Sequence, residues 1–460
     1  MSRSSARWLT VLLLAALGVR LAAAGWWQRR VGERFFFGDS ESYWVLGRAI
    51  AHGSPYEFGS PDARVFRTPG YPLLLAPLFA LGGDNPPVVW ARLLGAVLGT
   101  AAVGGVAWIA WRLFDSRAAL VAAAFAAFEP GAVAMSVMVL SEALFCPLMV
   151  FQLALWTGVA LSLPSSPFRP KTATGSVRAS HRRWFAGSLS VWQALGSAAA
   201  GLVAGAATLA RPSWLLFTPA AILVSLIASR ERMRHLAVGA IMLAGLAAAM
   251  TPWWVRNYRA VGRFVPTTLQ VGVSLYDGWN PQATGASDLS FVDRFVQQER
   301  SRTRDDNSQP GPFEYRFDRR MTSEAVAWAR EHPGRAIELA GVKFLRIWNV
   351  WANEAGLSAW PIQLAIVLTY VPIMLLAAFG VARTIRRGWP YVLCWLPAVY
   401  LTALHVVFVG SIRYRVPAML ALIVLAGGAA VGTSAKTERE SGRRGKGQTA
   451  EKKGSGRQET

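Results

Sequence analysis

The sequence predicts an all-α polytopic membrane protein with about ten transmembrane helices and two outer-face loops carrying interfacial helices. Three observations predict it. Of the 460 residues 53% are hydrophobic and the mean hydropathy is +0.31, more apolar surface than a soluble core hides. Apolar runs close to the ~20 residues that cross hydrocarbon recur along the chain. The basic residues behind the net charge of +22 concentrate in alternate connecting segments.

The apolar runs cover 8–25, 88–113, 118–133, 142–161, 189–209, 213–228, 236–255, 362–382, 389–409 and 416–431. The third is interrupted by Glu129, Pro130 and Gly131. With the amino terminus cytoplasmic, the inner segments hold 23 Lys and Arg against 6 acids, and the outer segments 20 against 18. That asymmetry is the positive-inside pattern, which places both termini on the cytoplasmic side of a multi-pass protein of the cytoplasmic membrane. It also accounts for the charge without nucleic acid, which would call for a basic face interleaved with aromatic residues. The start also has the shape of a signal peptide, with Arg3 and Arg7 before an apolar run ending in Ala22, Ala23 and Ala24. On either reading the segment after Gly25 faces outward.

Two long outer segments follow, about 26–87 and 256–360. The inner stretch 163–184, rich in proline and arginine, reads as a flexible loop near anionic headgroups. Residues 434–460 read as a basic disordered cytoplasmic tail behind a membrane domain of residues 1–433. Cys146 and Cys394 lie in apolar runs, so neither a disulfide framework nor a thiolate zinc site is indicated. Arg20 and Arg92 read as snorkelling cations at span ends.

The outer segments carry the polar residues that suggest chemistry. FFFGDSESYWVLGRAI (35–50) sets Asp39 and Tyr43 one helical turn apart, and its aromatics suit a membrane-lying helix. RVFRTPGYPLLLAPLFALGG (64–83) is too short to span and reads as a second interfacial helix. FEPGAVAMSVMVLSEALFCPLM (128–149) places Glu142 at the start of a span, and TPWWVRNYRAVGRFVPTT (251–268) opens the large outer segment. LYDGWNPQATG (275–285), EAVAWAREHPGRAIELAGVKFLRIW (324–348) and ALHVVFVGSIRYRVPAML (403–420) follow.

In this order the strings resemble the GT-C superfamily of membrane glycosyltransferases that use polyprenyl phosphate sugars. More narrowly, they are similar to the branch containing the protein O-mannosyltransferases and the lipid A aminoarabinose transferases. The resemblance runs from about residue 36 to 426. It implies an inverting glycosyltransferase that moves a hexose or pentose from a polyprenyl phosphate donor to an envelope lipid, glycan or protein at the outer face. The strict protein O-mannosyltransferase reading is weakened, because no soluble carbohydrate-binding domain interrupts the spans.

Such a reaction needs a base for the acceptor, cations for the departing phosphate and an apolar groove for the lipid. Asp39 is the choice for the base, with a pKa that desolvation raises, or else it orients the acceptor or a cation. Glu142 assists as a second catalytic carboxylate, in positioning or metal binding, unless it is a solvated helix start. Arg67, Arg256, Arg413 and Arg415 are phosphate-binding candidates, because guanidinium offers permanent charge and a fork matched to phosphate oxygens. Arg211 is a weaker one, since arginines at span ends often snorkel. Tyr43, Tyr71, His405 and Tyr414 are candidates to line the substrate site, with Trp253, Trp254 and Trp279 as further aromatic surfaces. No clustered metal-ligand spacing stands out, and a divalent cation between Asp39 and Glu142 is the one cofactor the pair suggests. A transporter or lipid flippase, and a scaffold that keeps the fold without catalysis, are the competing readings.

Overall fold

The computed structural model describes residues 1–163, 189–229, 231–305, 311–351 and 359–432. The inner loop's polar part and the carboxyl-terminal tail lie outside the described residues. The helices run in the order α1 (Arg3–Val31), α2 (Gly38–Ala51), α3 (Gly70–Gly82), α4 (Val88–Leu113), α5 (Ser116–Phe128), α6 (Pro130–Val137), α7 (Glu142–Ser162) and α8 (Val191–Ala210). Then come α9 (Phe217–Ala228), α10 (Arg232–Val261), α11 (Val271–Gly278), α12 (Val292–Asp305), α13 (Phe313–Glu331), α14 (Pro333–Trp348), α15 (Trp360–Thr384), α16 (Leu396–Val407) and α17 (Val416–Ala430).

Among the described residues seven helical stretches, α1, α4, α7, α8, α10, α15 and α17 taken with the 3₁₀ turn Ile412–Arg415 before it, are long and apolar enough to cross a membrane. The pair α5 and α6, bent by 57°, makes an eighth if it forms one span. By length and composition alone the count is thus seven or eight, against about ten apolar runs in the sequence, and three apolar helices are shorter, Gly70–Gly82, Pro212–Ala228 and Leu396–Val407. Runs 213–228 and 389–409 each fold as a 3₁₀ turn, Pro212–Trp214 or Tyr391–Cys394, followed by a 12-residue helix. Proline is the physical reason: Pro212 opens the first 3₁₀ turn and Pro397 the first turn of α16, where a missing N–H is harmless but a continuous helix cannot pass. Helix α17 is the centre of the bundle, buried from Val416 to Ala429 and packed against α15, α5 and α4. Helix α8 lies between α7 and α10.

The break between α5 and α6 explains two features the sequence misassigned or left unread. Glu129 caps α6, its Oε1 accepting from the Gly131 amide at 3.1 Å. The carbonyls that the break strands at the end of α5 need donors, because the apolar interior offers no water. Arg20 supplies them. It is 1% exposed, so it does not snorkel, and it donates to the carbonyls of Ala127 at 3.0 Å and Ala126 at 3.1 Å. Arg92 is likewise buried, donating to the carbonyls of Gly32 at 3.1 Å and Arg34 at 3.4 Å. Arg20→Met is expected to cost about 2–4 kcal/mol, because two buried acceptors lose their partner. A thermal midpoint in detergent equal to that of the wild type would contradict this role.

Candidate functional site

The site is built from helix ends that meet on one side of the bundle. Asp39 sits in the first turn of α2. Glu142 opens α7 behind Ser141. Arg211 is the residue at which α8 stops before Pro212. Arg67 lies in the segment before α3, and Arg413 in the 3₁₀ turn Ile412–Arg415 that precedes α17. Each terminus leaves a short stretch free to turn a polar side chain inward, as a continuous apolar span would not.

These five residues form an alternating line of charge. Arg211 Nη1 is 2.8 Å from Glu142 Oε1, and Arg413 Nε is 2.6 Å from the same oxygen. Arg413 Nη2 reaches on to Asp39 Oδ2 at 2.9 Å, and Arg67 Nη2 meets Asp39 Oδ1 at 2.6 Å. Three guanidiniums thus face two carboxylates, leaving one positive charge in excess at a buried place. The Glu142 side chain is 0% exposed and that of Asp39 33%, so the line runs from a closed end to an open one.

Arg67 is held on its other sides by Gln270 Oε1 at 2.6 Å and Ser42 Oγ at 3.1 Å. Tyr414 lies under both Arg211 and Arg413, with its ring centre 5.2 and 5.4 Å from the two guanidinium carbons. His405 stacks face to face on Tyr414, centroids 3.9 Å apart. Arg67 lies over the Tyr43 ring at 5.3 Å and Arg413 over Phe37 at 5.2 Å.

The electrostatics differ from the expectation for Asp39. Burial alone would raise its pKa, but the neighbouring guanidiniums of Arg67 and Arg413 outweigh burial and hold the carboxyl well below the usual carboxylate range. In this arrangement Asp39 is an ionised carboxylate and a weak base.

Other candidates sit elsewhere. Arg256 donates to the backbone carbonyls of Arg64 at 2.6 Å and Tyr56 at 3.3 Å, bracing the segment that carries Arg67. Arg415 turns away from Arg413, donates to the carbonyls of Ile347 and Asn349, and stacks on Tyr370 at 3.9 Å. A 3₁₀ turn is the cause: residues two apart leave it about 240° apart, so one cannot follow the other into the site. Tyr71 is buried behind Tyr43, edge to face at 5.3 Å, and packs rather than lines. Trp253 and Trp254 use their indole N–H groups on the carbonyls of Thr267 and Pro266, at 2.7 and 2.8 Å.

The residues do not compose a metal site as arranged. Arg413 occupies the space between Asp39 and Glu142, and among the described residues no group of three or more His, Cys, Asp or Glu could hold an ion. Residues unread in the sequence are Ser42, Gln270 and Glu314. Glu314 of α13 clasps the backbone amides of Arg64 and Val65, each at 2.9 Å, and so fixes the start of the Arg67 segment. Burial raises its pKa from 4.5 to about 7, against the pull of those amides. An acid whose pKa is higher folded than unfolded loses stability as the pH climbs between the two values. The thermal midpoint should therefore fall from pH 4.5 to about 7 by a component that Glu314→Gln removes. Equal pH slopes in the two proteins would contradict this.

Known structures share this architecture. The Archaeoglobus fulgidus oligosaccharyltransferase AglB, in complex with an inhibitory peptide and a dolichol-phosphate, matches with a TM-score of 0.55 at 13% identity, over 94% of this chain and 51% of that one. The same organism's enzyme tethered to an acceptor peptide gives a TM-score of 0.56 at 15% identity, over 94% and 50%. The fold is GT-C. The chain spans about half the length of the oligosaccharyltransferases it matches. No protein-family model matches it, and no curated protein is similar to it in sequence. The fold is thus shared at an identity that speaks for architecture, and the chemistry has to be argued from the charged line itself.

Proposed function

We propose that the chain is an inverting glycosyltransferase that moves a hexose or pentose from a polyprenyl phosphate donor to an envelope lipid, glycan or protein acceptor at the outer face of the cytoplasmic membrane, with both termini cytoplasmic. The observation that carries this reading is the line Arg211, Glu142, Arg413, Asp39, Arg67, with its excess cation at helix ends. The dolichol-phosphate in the AglB structure supports a lipid phosphate as the donor's carrier.

Arg211, Arg413 and Arg67 receive the donor phosphate, and the fork of Arg413 suits two of its oxygens. As phosphate draws on Arg413 and Arg67, their hold on Asp39 slackens and its pKa climbs, so the base is strengthened by the substrate it serves. The acceptor oxygen then attacks the anomeric carbon from the side opposite the phosphate. The bond from that carbon to the phosphate oxygen breaks with inversion, the acceptor proton passes to Asp39, and the arginines take up the charge left on the phosphate. Glu142 acts by holding Arg211 and Arg413. Tyr414, backed by His405, is the ring against which their planes are set.

The test is mass spectrometry of polyprenyl lipids and envelope glycans from a strain lacking the gene. A polyprenyl phosphate sugar should accumulate, with an acceptor short by one sugar, and wild-type but not Asp39→Asn protein should reverse both. Unchanged lipid and glycan profiles would refute the proposal.

A further inference from the structure

Lys343 has no part in the transfer just described, yet its position is demanding. Its side chain belongs to α14 and the residue is 0% exposed. A buried ammonium is costly unless its donors are satisfied. Its Nζ donates to the carbonyl of Gly278 at 2.8 Å and to that of Val407 at 3.0 Å, beside the Trp279 ring. Those two carbonyls lie at the ends of α11 and α16, so one cation ties the large outer segment to the helix that carries His405.

The same place is locked by close backbone approach. A Cβ on Gly278 would lie 2.2 Å from the Phe408 carbonyl oxygen, and one on Gly410 would lie 2.6 Å from that of Lys343. The Gly410 amide donates to Gly285 at 2.9 Å, and Arg346, one turn after Lys343, donates to the Gly410 carbonyl at 3.2 Å. Three residues beyond this knot stands Arg413.

We infer that Lys343 is a positioning residue: by joining the ends of α11 and α16 it sets where the turn Ile412–Arg415 delivers Arg413 and Tyr414. The part of this that concerns a phosphate rests on the proposed transferase reading, whereas the link from Lys343 to the 407–411 segment stands on geometry. Burial lowers the Lys343 pKa to about 8, with Asp277 opposing. The other ionisable groups near the knot are Asp288 beside Asp277, Arg346 on α14, His405 on α16, and Arg413 and Arg415 in the turn. Below about pH 8 the ammonium makes charge-assisted bonds. As the pH rises through that value the neutral amine holds the two carbonyls more weakly.

Wild type, Lys343→Met and Lys343→Arg in nanodiscs are compared at pH 7.5 and 9.5 by hydrogen exchange of residues 406–411, as protection relative to the intrinsic rate, and by affinity for undecaprenyl phosphate. Lys343→Met, which loses both hydrogen bonds, is expected to lose at least about tenfold in both at pH 7.5, since one hydrogen bond alone is worth about that factor. Wild type should move toward that state at pH 9.5, and Lys343→Arg should hold both values at both pH. If Lys343→Met does not fold, the wild-type pH comparison against Lys343→Arg carries the test. Wild-type protection in folded Lys343→Met, or lost protection with unchanged affinity, would overturn the inference. If the wild type itself binds no undecaprenyl phosphate, the transferase reading fails and the exchange comparison alone decides the link.

Discussion

Asp39→Asn is expected to abolish most sugar transfer while tightening the grip on the carrier. Asparagine removes the group that takes the acceptor proton, a change worth about 10²- to 10⁴-fold in rate. It also removes the anion that occupies Arg67 and Arg413, at 2.6 and 2.9 Å, where the donor phosphate would compete. Transfer should therefore fall by that factor while the Kd for undecaprenyl phosphate drops severalfold. A residue that only supported the fold would lose both together. Retained transfer would remove Asp39 from the mechanism, and weaker binding would contradict its competition with phosphate.

Arg413→Ala should be the most damaging single change. Its Nε and Nη2 serve Glu142 and Asp39 separately, so truncation leaves the fully buried Glu142 with Arg211 alone and loosens Asp39 from one of its two cations. Removing one partner from a buried ion pair costs about 3–5 kcal/mol, and a large fall in thermal midpoint should accompany loss of measurable transfer. Arg413→Lys should recover stability in part and transfer hardly at all, since one ammonium cannot bridge two carboxylates as a fork does. Full activity of either Arg413 variant would count against the phosphate role.

The fold class was legible because apolar length and charge asymmetry are properties of composition and order. The number of spans was less so: hydropathy does not register that Pro212 and Pro397 divide apolar runs into a 3₁₀ turn and a short helix. At the site, the ordered strings pointed to Asp39, Glu142, Arg67 and Arg413. They could not separate Arg413 from Arg415, because a 3₁₀ turn sends them to different neighbours. Arg211 looked weaker than its position warrants, since a span-end arginine resembles a snorkelling one until its carboxylate partner, 69 positions earlier in the chain, is brought beside it. Arg20 was misread for the same reason: its partners are the backbone carbonyls of a distant broken helix, and backbone groups leave no mark in sequence. Gln270 and Lys343 stand in segments that gave no local sign of their contacts with Arg67 and with two helix ends.

Reconstitution tests the central claim most directly. Purified protein is placed in vesicles containing a radiolabelled polyprenyl phosphate sugar together with an extract of envelope acceptors, and label is followed both into acceptor and across the bilayer. The charged line predicts label in the acceptor, with stoichiometric polyprenyl phosphate left behind, in wild type but not in Asp39→Asn. Movement of intact donor across the bilayer with no sugar transferred would contradict it and point to a flippase.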